Sequence, residues 1–172
     1  IQKAVPTERD DYFRYRLLQG EVHDETAYLL GGTAGHAGLF STADDLSRFA
    51  AMLINEGRVG DRVFLKPETI RYFVGKVDPD LTHTRALGWD TRSLAGYSSA
   101  GSHLGPWSYG HTGFTGTSFW IDPDSKLFVI LLTNRVYPTR DNRGHIPVRP
   151  AVADLSFRAF QPQVNSAVAL TE

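Results

Sequence analysis

The stretch LFVILL, Leu127–Leu132, constrains the fold more than any other part of the sequence. Six successive apolar residues fill both alternating sets of side-chain positions along a strand, so a strand of this sequence has to be covered on both faces. We therefore predict an α+β domain in which an antiparallel sheet is flanked by helices. The run is much shorter than the roughly 20 residues that span a membrane as a helix, and no membrane span is predicted.

Two further strands are predicted just before this run, so that residues 107–134 form a three-strand meander. Trp107–Thr112 and Thr117–Ile121 are the first two strands, and the DPDS sequence that follows suits a tight turn into the third. Such a meander leaves the apolar third strand unpaired along one side, which native chains normally avoid. We therefore expect an upstream segment of the same protein, or a second chain, to pair with residues 126–133.

Three helices are predicted around the meander. The clearest is STADDLSRFAAMLINEG in the helical segment 41–75, with Ser41 or Thr42 as its cap. Pro67 starts a second, shorter helix, KPETIRYFV, and a C-terminal helix covers 149–160. Two apolar stripes are expected to be buried. They are Leu46, Phe49, Ala50 and Leu53 in the first helix and Val152, Leu155 and Ala159 in the last.

The remaining segments are predicted to be loops within a single domain fragment that spans residues 1–172. Residues 1–40 are polar and then glycine-rich, and we interpret them as loop-rich, with a short helical turn near Tyr12–Leu18. Residues 76–106 form a long loop in which only Ala86–Trp89 has the pattern of a strand. A connection of this length in a compact domain is usually functional or mobile.

Composition narrows the chemistry that the chain can perform. Eighteen basic and 19 acidic residues leave no basic excess, so nucleic-acid binding is not expected. The absence of cysteine excludes disulfides, thiolate nucleophiles and cysteine-ligated zinc. The glycine-rich GGTAGHAGLF lacks the Gly-Lys-Ser/Thr of a phosphate-binding loop.

Three polar features are interpreted as structural. The VHDE sequence, with His36 beyond it, could suggest a metal site, but a hydrogen bond that organises the loop is favoured, and neither a metal nor a cofactor is predicted. The mixed charges of residues 7–16 are expected to be a solvated face. Arg135 and Arg140, which follow the last strand, are expected to pair with Asp141 or a helix end.

Four features in one order resemble a known family. GGTAGHAGLFSTADDLSRF, YGHTGFTG, IDPDSKLFVILLTN and a closing helix follow one another as in the C-terminal half of the serine β-lactamase and penicillin-binding-protein superfamily, nearest to its class C-like and esterase branch. The resemblance covers essentially the whole chain and implies a β-lactamase/transpeptidase-like fold. It also implies an acyl-enzyme mechanism on an ester, amide or peptide, and it favours a periplasmic or otherwise extracytoplasmic location.

Only the third of the family's three sequence motifs is in this chain. His111-Thr112-Gly113 matches the His-x-Gly motif that borders the acyl site, whereas Ser-x-x-Lys, Tyr-x-Asn and Ser-x-Asn do not occur in the 172 residues. A Gly-x-Ser-x-Gly motif is missing as well. We therefore expect the chain to be the C-terminal portion of a larger enzyme, inactive by itself, with the nucleophile upstream and the family's N-terminal strands beside residues 126–133.

The resemblance implies roles for individual residues. The motif residues expected to take part in catalysis are His111, Thr112 and Gly113, and the N–H of Phe114 would contribute to the oxyanion hole. The residues expected to contact substrate are His36, Ala37 and Thr115. Histidine replaces the family's more usual lysine, and because imidazole titrates near pH ~6.5, it favours an ester or a substrate without a carboxylate.

A second hypothesis remains open at the level of the sequence. The chain could be a non-catalytic module that keeps the fold for binding or assembly, with the unpaired strand as its contact with a partner.

Overall fold

The computed structural model describes residues 4–75 and 84–168, which form twelve helices and strands. The strands are β1 Pro6–Asp10, β2 Arg16–Gln19, β3 Arg58–Val59, β4 Arg62–Val63, β5 Asp90–Thr91, β6 Tyr109–Thr112, β7 Ser118–Asp122 and β8 Leu127–Leu131. The helices are α1 Glu25–Leu29, α2 Ala43–Ile54, α3 Pro67–Val74 and α4 His145–Val168. Residues 76–83 of the predicted long loop lie outside the described residues.

The main sheet has four antiparallel strands in the order β5-β6-β7-β8, which confirms the predicted meander and adds a strand to it. The extra strand was predicted at Ala86–Trp89, which is wrong because these residues form a turn. The N–H of Ala86 donates to the carbonyl of Trp89 at 2.9 Å, so pairing starts only at Asp90.

Helices cover both faces of the sheet, as the apolar run of β8 predicts. On one face α2 packs against Tyr109, Ile121 and Phe128. On the other face α4 places Ala153 against Trp120 and Leu127. Strands β7 and β8 therefore contribute side chains to both cores, and the odd-numbered residues of β7 face α2 while Trp120 faces α4.

The predicted helix stripes are partly wrong. Thr42 caps α2 as expected, accepting from the N–H of Asp45 at 3.2 Å. Phe49 is 43% exposed, however, and Met52 is buried in its place. In α4, which extends well beyond 149–160, Leu155 is 64% exposed and Ala153 is buried, because the close approach of the helix to Trp120 requires a small residue.

The N-terminal segment contains a hairpin of β1 and β2 where a loop and a helical turn were predicted. Its charges form a solvated face only in part, since Glu8 and Asp10 are buried whereas Arg9, Asp11 and Arg16 are exposed. The carboxylate of Asp10 accepts from the N–H groups of Phe13 at 2.9 Å and Arg14 at 3.1 Å, and thereby shapes the turn of the hairpin. Carboxylates at inward-facing positions hide the alternation from which a strand is usually recognised.

The outer edge of β8 confirms the expected one-sided pairing. Within the described ranges β8 forms strand-to-strand hydrogen bonds with β7 alone. Of its five residues only Val129 is buried, and the other four are half-buried. An apolar strand with a free row of backbone donors and acceptors is a template for another strand.

Candidate functional site

A cavity of about 1020 Å³ opens on the α2 face of the sheet, next to the His-Thr-Gly motif. One wall is polar and comes from the end of β6 and the turn after it. The cavity also has an apolar part, which includes Phe49, Phe119 and Trp89. Leu39 and Phe40 form a lip that is strongly exposed, with Leu39 87% accessible. The polar wall consists of His111, Thr112, Gly113, Thr115 and Thr117.

His111 faces the cavity because it pairs with Phe119 across the sheet, on the side occupied by α2. Its Nδ1 lies 2.9 Å from the carbonyl oxygen of Thr112, which can only accept, so Nδ1 carries the proton. In the neutral ring, Nε2 is then an acceptor, and it lies 3.5 Å from the guanidinium of Arg85. Arg85 is itself paired with Asp90 at 2.7 Å. In its neutral form the motif histidine therefore presents a lone pair, with the Arg85–Asp90 ion pair beside it.

The turn between β6 and β7, residues 113–117, follows directly from the motif. The N–H of Gly113 donates to the carbonyl of Thr117 at 2.9 Å, and the N–H of Gly116 donates to the carbonyl of Gly113 at 3.1 Å. The N–H of Phe114 has no acceptor among the described residues. Phe114 itself is not among the residues that line the cavity, although its neighbours Gly113 and Thr115 are.

Behind this turn lies a buried ionic cluster that the sequence did not predict. Glu8 accepts from Arg140 at 2.7 Å and from His23 at 2.7 Å, and the ring of His23 stacks on Phe114 with centroids 5.6 Å apart. Burial by itself would raise the pKa of Glu8, but hydrogen bonds from Arg140 and His23 outweigh it and hold that pKa below 4.5. The expected pairing of Arg140 with Asp141 is wrong, because Arg140 binds Glu8 and Glu25 instead.

His36 and Ala37 are not among the residues that line the cavity. The Nε2 of His36 lies 2.9 Å from Asp24, whose carboxylate also caps α1 by accepting from the N–H of Ala27 at 2.8 Å. This arrangement confirms the loop-organising hydrogen bond predicted for the VHDE segment. Within residues 4–75 and 84–168 no three His, Cys, Asp or Glu residues lie close enough together to hold a metal ion.

A second polar grouping, Ser102, His103 and Asp154, contains the residue types of a catalytic triad without its geometry. The Ser102 hydroxyl and a carboxylate oxygen of Asp154 both lie 3.0 Å from Nδ1 of His103. A relay needs the serine on one ring nitrogen and the carboxylate on the other. Asp154 also accepts from the N–H groups of Ser102 and His103, so the group anchors a loop to α4.

Among the described helices none combines the length and apolar character that crossing a membrane requires.

The fold and this site define a class of protein. The helix-covered antiparallel sheet is that of the serine β-lactamase and penicillin-binding-protein-like fold. The family model described as Beta-lactamase matches residues 2–154. The chain therefore belongs to the beta-lactamase family.

Relatives of known name agree with this assignment. A protein of Escherichia coli (strain K12) named "Putative D-alanyl-D-alanine carboxypeptidase" is 38% identical over 146 residues, covering 78% of this chain and 33% of its own length. An N-acetylmuramyl-L-alanine amidase of Bacillus subtilis (strain 168) is 40% identical over 124 residues, covering 71% and 28%. The crystal structure of a beta-lactamase from Mycobacterium bovis matches the fold with a TM-score of 0.58 at 21% identity, covering 72% of this chain and 46% of that one.

This chain thus spans about a third of the length of the curated relatives that it matches.

Proposed function

We propose that this chain forms one wall of the active site of a serine acyl-transfer hydrolase, with the nucleophile supplied from outside these 172 residues. The observation that carries the proposal is the unpaired N–H of Phe114 in the turn that directly follows His111, Thr112 and Gly113 at the cavity. A donor held at that place suits an oxygen atom on which negative charge develops. The roles of these residues follow from the family to which the chain belongs.

In the proposed reaction a serine oxygen attacks the carbonyl carbon of the substrate, and the carbonyl electron pair moves onto oxygen. The Phe114 N–H stabilises that oxyanion by a hydrogen bond. The intermediate collapses when the bond to the leaving nitrogen or oxygen breaks and the leaving group takes up a proton. Water then releases the acyl group from the serine. With Nδ1 facing the Thr112 carbonyl, His111 in its neutral form can accept a hydrogen bond at Nε2 during this reaction.

The substrate we propose is a peptide or a related amide. Two relatives carry names that refer to D-alanyl-D-alanine and N-acetylmuramyl-L-alanine, and both names describe cleavage at an alanine residue. The sequence favoured substrates without a carboxylate because His111 replaces a lysine. Arg85 does not change this preference, since its guanidinium lies 3.5 Å from His111 but is already paired with Asp90 at 2.7 Å. The names of the relatives nevertheless make a short peptide that ends in D-alanyl-D-alanine the first substrate to test.

The missing wall is proposed to come from a further part of the same protein. Two features support this. β8 is the last strand of the sheet and its outer edge is open, and Leu39 and Phe40 are exposed apolar residues at the cavity. Both features need a cover. A second chain that pairs with β8 would satisfy the edge equally well.

The experiment uses the longest reading frame that contains these residues. The purified protein is treated with a fluorophosphonate, which labels activated serines, and with an N-acetylated peptide ending in D-alanyl-D-alanine. We expect one labelled serine, release of D-alanine, and a kcat about tenfold lower in H111A, as for loss of one hydrogen bond. H103A is the matched control, since His103 is outside the cavity lining, and it should keep full activity.

Failure of both labelling and peptide cleavage in a folded protein would contradict the proposal and favour the non-catalytic module. In that case light scattering should find a stable complex through β8 instead of turnover.

A further inference from the structure

The carbonyl groups of the 113–117 turn are all held by donors from within the protein. Two arginines and one threonine supply most of these donors. Arg149 donates to Gly113 at 2.7 Å and to Thr117 at 2.9 Å. Arg135 donates through its Nε to Phe114 at 2.8 Å and through its backbone N–H to Thr115 at 2.9 Å, and Thr133 donates to Gly116 at 2.6 Å.

Arg149 is unusual among these donors because it is only 9% exposed. None of the described carboxylates lies within ion-pair distance of its guanidinium. A buried cation without a counter-charge is costly, and here hydrogen bonds from Nη2 to two carbonyl oxygens offset part of that cost, while the buried Nε has no partner among the described residues. The two carbonyls that it bridges close the turn at both ends. Its placement is therefore better explained by the turn than by an ion pair.

The direction of the Phe114 N–H follows from this contact. The peptide bond between Gly113 and Phe114 is trans, and in a trans peptide the C=O and the following N–H point in opposite directions. Because Arg149 holds the Gly113 carbonyl from the side of α4, the Phe114 N–H points away from α4. The positive charge at the carbonyl end also polarises the peptide group and strengthens its N–H as a donor.

We propose that Arg149 is a positioning residue that aims the Phe114 N–H at the cavity by holding the Gly113 carbonyl. Arg149 acts through the peptide group and does not touch the substrate. The catalytic consequence rests on the proposed function, whereas the orientation of the amide can be tested without turnover.

The first test measures the orientation of amide bonds in the 172-residue chain by residual dipolar couplings. We expect R149M to change the Phe114 N–H coupling while the couplings of Trp120 and Ile121 in β7 stay the same. Both contacts of Arg149 come from its Nη2 atom. R149K keeps the charge on a shorter side chain, so it should give an intermediate change. R158M is the matched control on the exposed side of α4 and should leave Phe114 unchanged.

An unchanged Phe114 coupling would overturn the proposal, whether it is measured in R149M or, where R149M does not fold, in R149K. Spread of the change over β7 would overturn it too, since Arg149 would then support the whole sheet.

The second test measures kinetics in the longest reading frame that contains the chain. We expect R149M to lower kcat about 100-fold with KM within about twofold, as for loss of one oxyanion-hole donor, and R149K to lie between. R158M should match the unmodified protein. A kcat for R149M equal to that of R158M would contradict the catalytic part. Absence of turnover in all proteins refutes the proposed function, and the amide couplings still decide the role of Arg149.

Discussion

Replacing Glu8 by glutamine tests the cluster that supports the Phe114 ring. Glu8 is 3% exposed and joins the first strand to Arg140, 132 residues further along the chain. Its carboxylate accepts from the backbone N–H of Arg140 at 2.8 Å, from the arginine side chain, and from His23 at 2.7 Å. Glutamine keeps the shape and one acceptor oxygen but removes the charge.

The expected loss is about 3 kcal/mol of unfolding free energy. Removing one partner of a buried ion pair costs about 3–5 kcal/mol, and the lower value applies because the Arg140 side chain is 30% exposed. With a denaturant slope of about 2 kcal/mol/M in urea, the unfolding midpoint should fall by roughly 1.5 M. Tryptophan fluorescence follows the transition, since Trp120 is in the core between the sheet and α4.

The pH dependence makes this test sharper. The fold lowers the pKa of Glu8 below 4.5, so its contribution is present above pH 4.5 and is lost as pH falls through the folded value. The difference in stability between the unmodified chain and E8Q should therefore shrink in acid. E25Q is the control, because Glu25 also contacts Arg140 but is 32% exposed, and it should cost less than about 1 kcal/mol. A loss for E8Q no larger than that for E25Q, or one constant from pH 7 to pH 3, would refute the reasoning.

Three further predictions concern the sheet, its edge and activity. G110A should lower the free energy of unfolding in urea by more than about 3 kcal/mol, because the added Cβ would lie 2.1 Å from the carbonyl oxygen of Phe119. G113A is the control and should cost much less, since its added Cβ would meet only the hydroxyl group of Thr117 at close range. L132K should reduce self-association measured by light scattering, since it places a charge next to the open edge of β8; equal association would point to another interface. The 172-residue chain alone should not hydrolyse chromogenic β-lactams or p-nitrophenyl esters, and turnover proportional to protein concentration would contradict the missing nucleophile.

The elements predicted correctly from the sequence are those whose signals are local. Thr42 and the two aspartates that follow it are enough to predict the start of a helix. The apolar run Leu127–Leu132 is enough to predict that both faces of its strand are covered. The strands of the meander could be predicted because strand-like segments and a proline-containing turn follow one another within residues 107–134. No knowledge of distant parts of the chain is needed for any of these.

The N-terminal hairpin and the ionic cluster could not be predicted because their cause is distant in sequence. Glu8 and Asp10 are buried, and a buried carboxylate is stable only with partners that satisfy it. For Glu8 the main partner is Arg140, and nothing in the residues around either one indicates the other. The contacts of Arg149 could not be predicted either, because its partners are two backbone carbonyl groups, which every residue has and which the sequence therefore does not mark.

The proposed site divides into a part that this chain completes and a part that it leaves open. The donors that fix the 113–117 turn come from the segment after β8 and from α4, so the Phe114 N–H is oriented without help from elsewhere; they are Thr133, Arg135 and Arg149. The lip at Leu39 and Phe40 remains open to water, and an oriented donor is worth most where water is excluded. Activity therefore depends on whatever covers the lip. Because the cavity wall lacks an activated serine as well, one added segment that pairs with β8 could supply both the cover and the nucleophile.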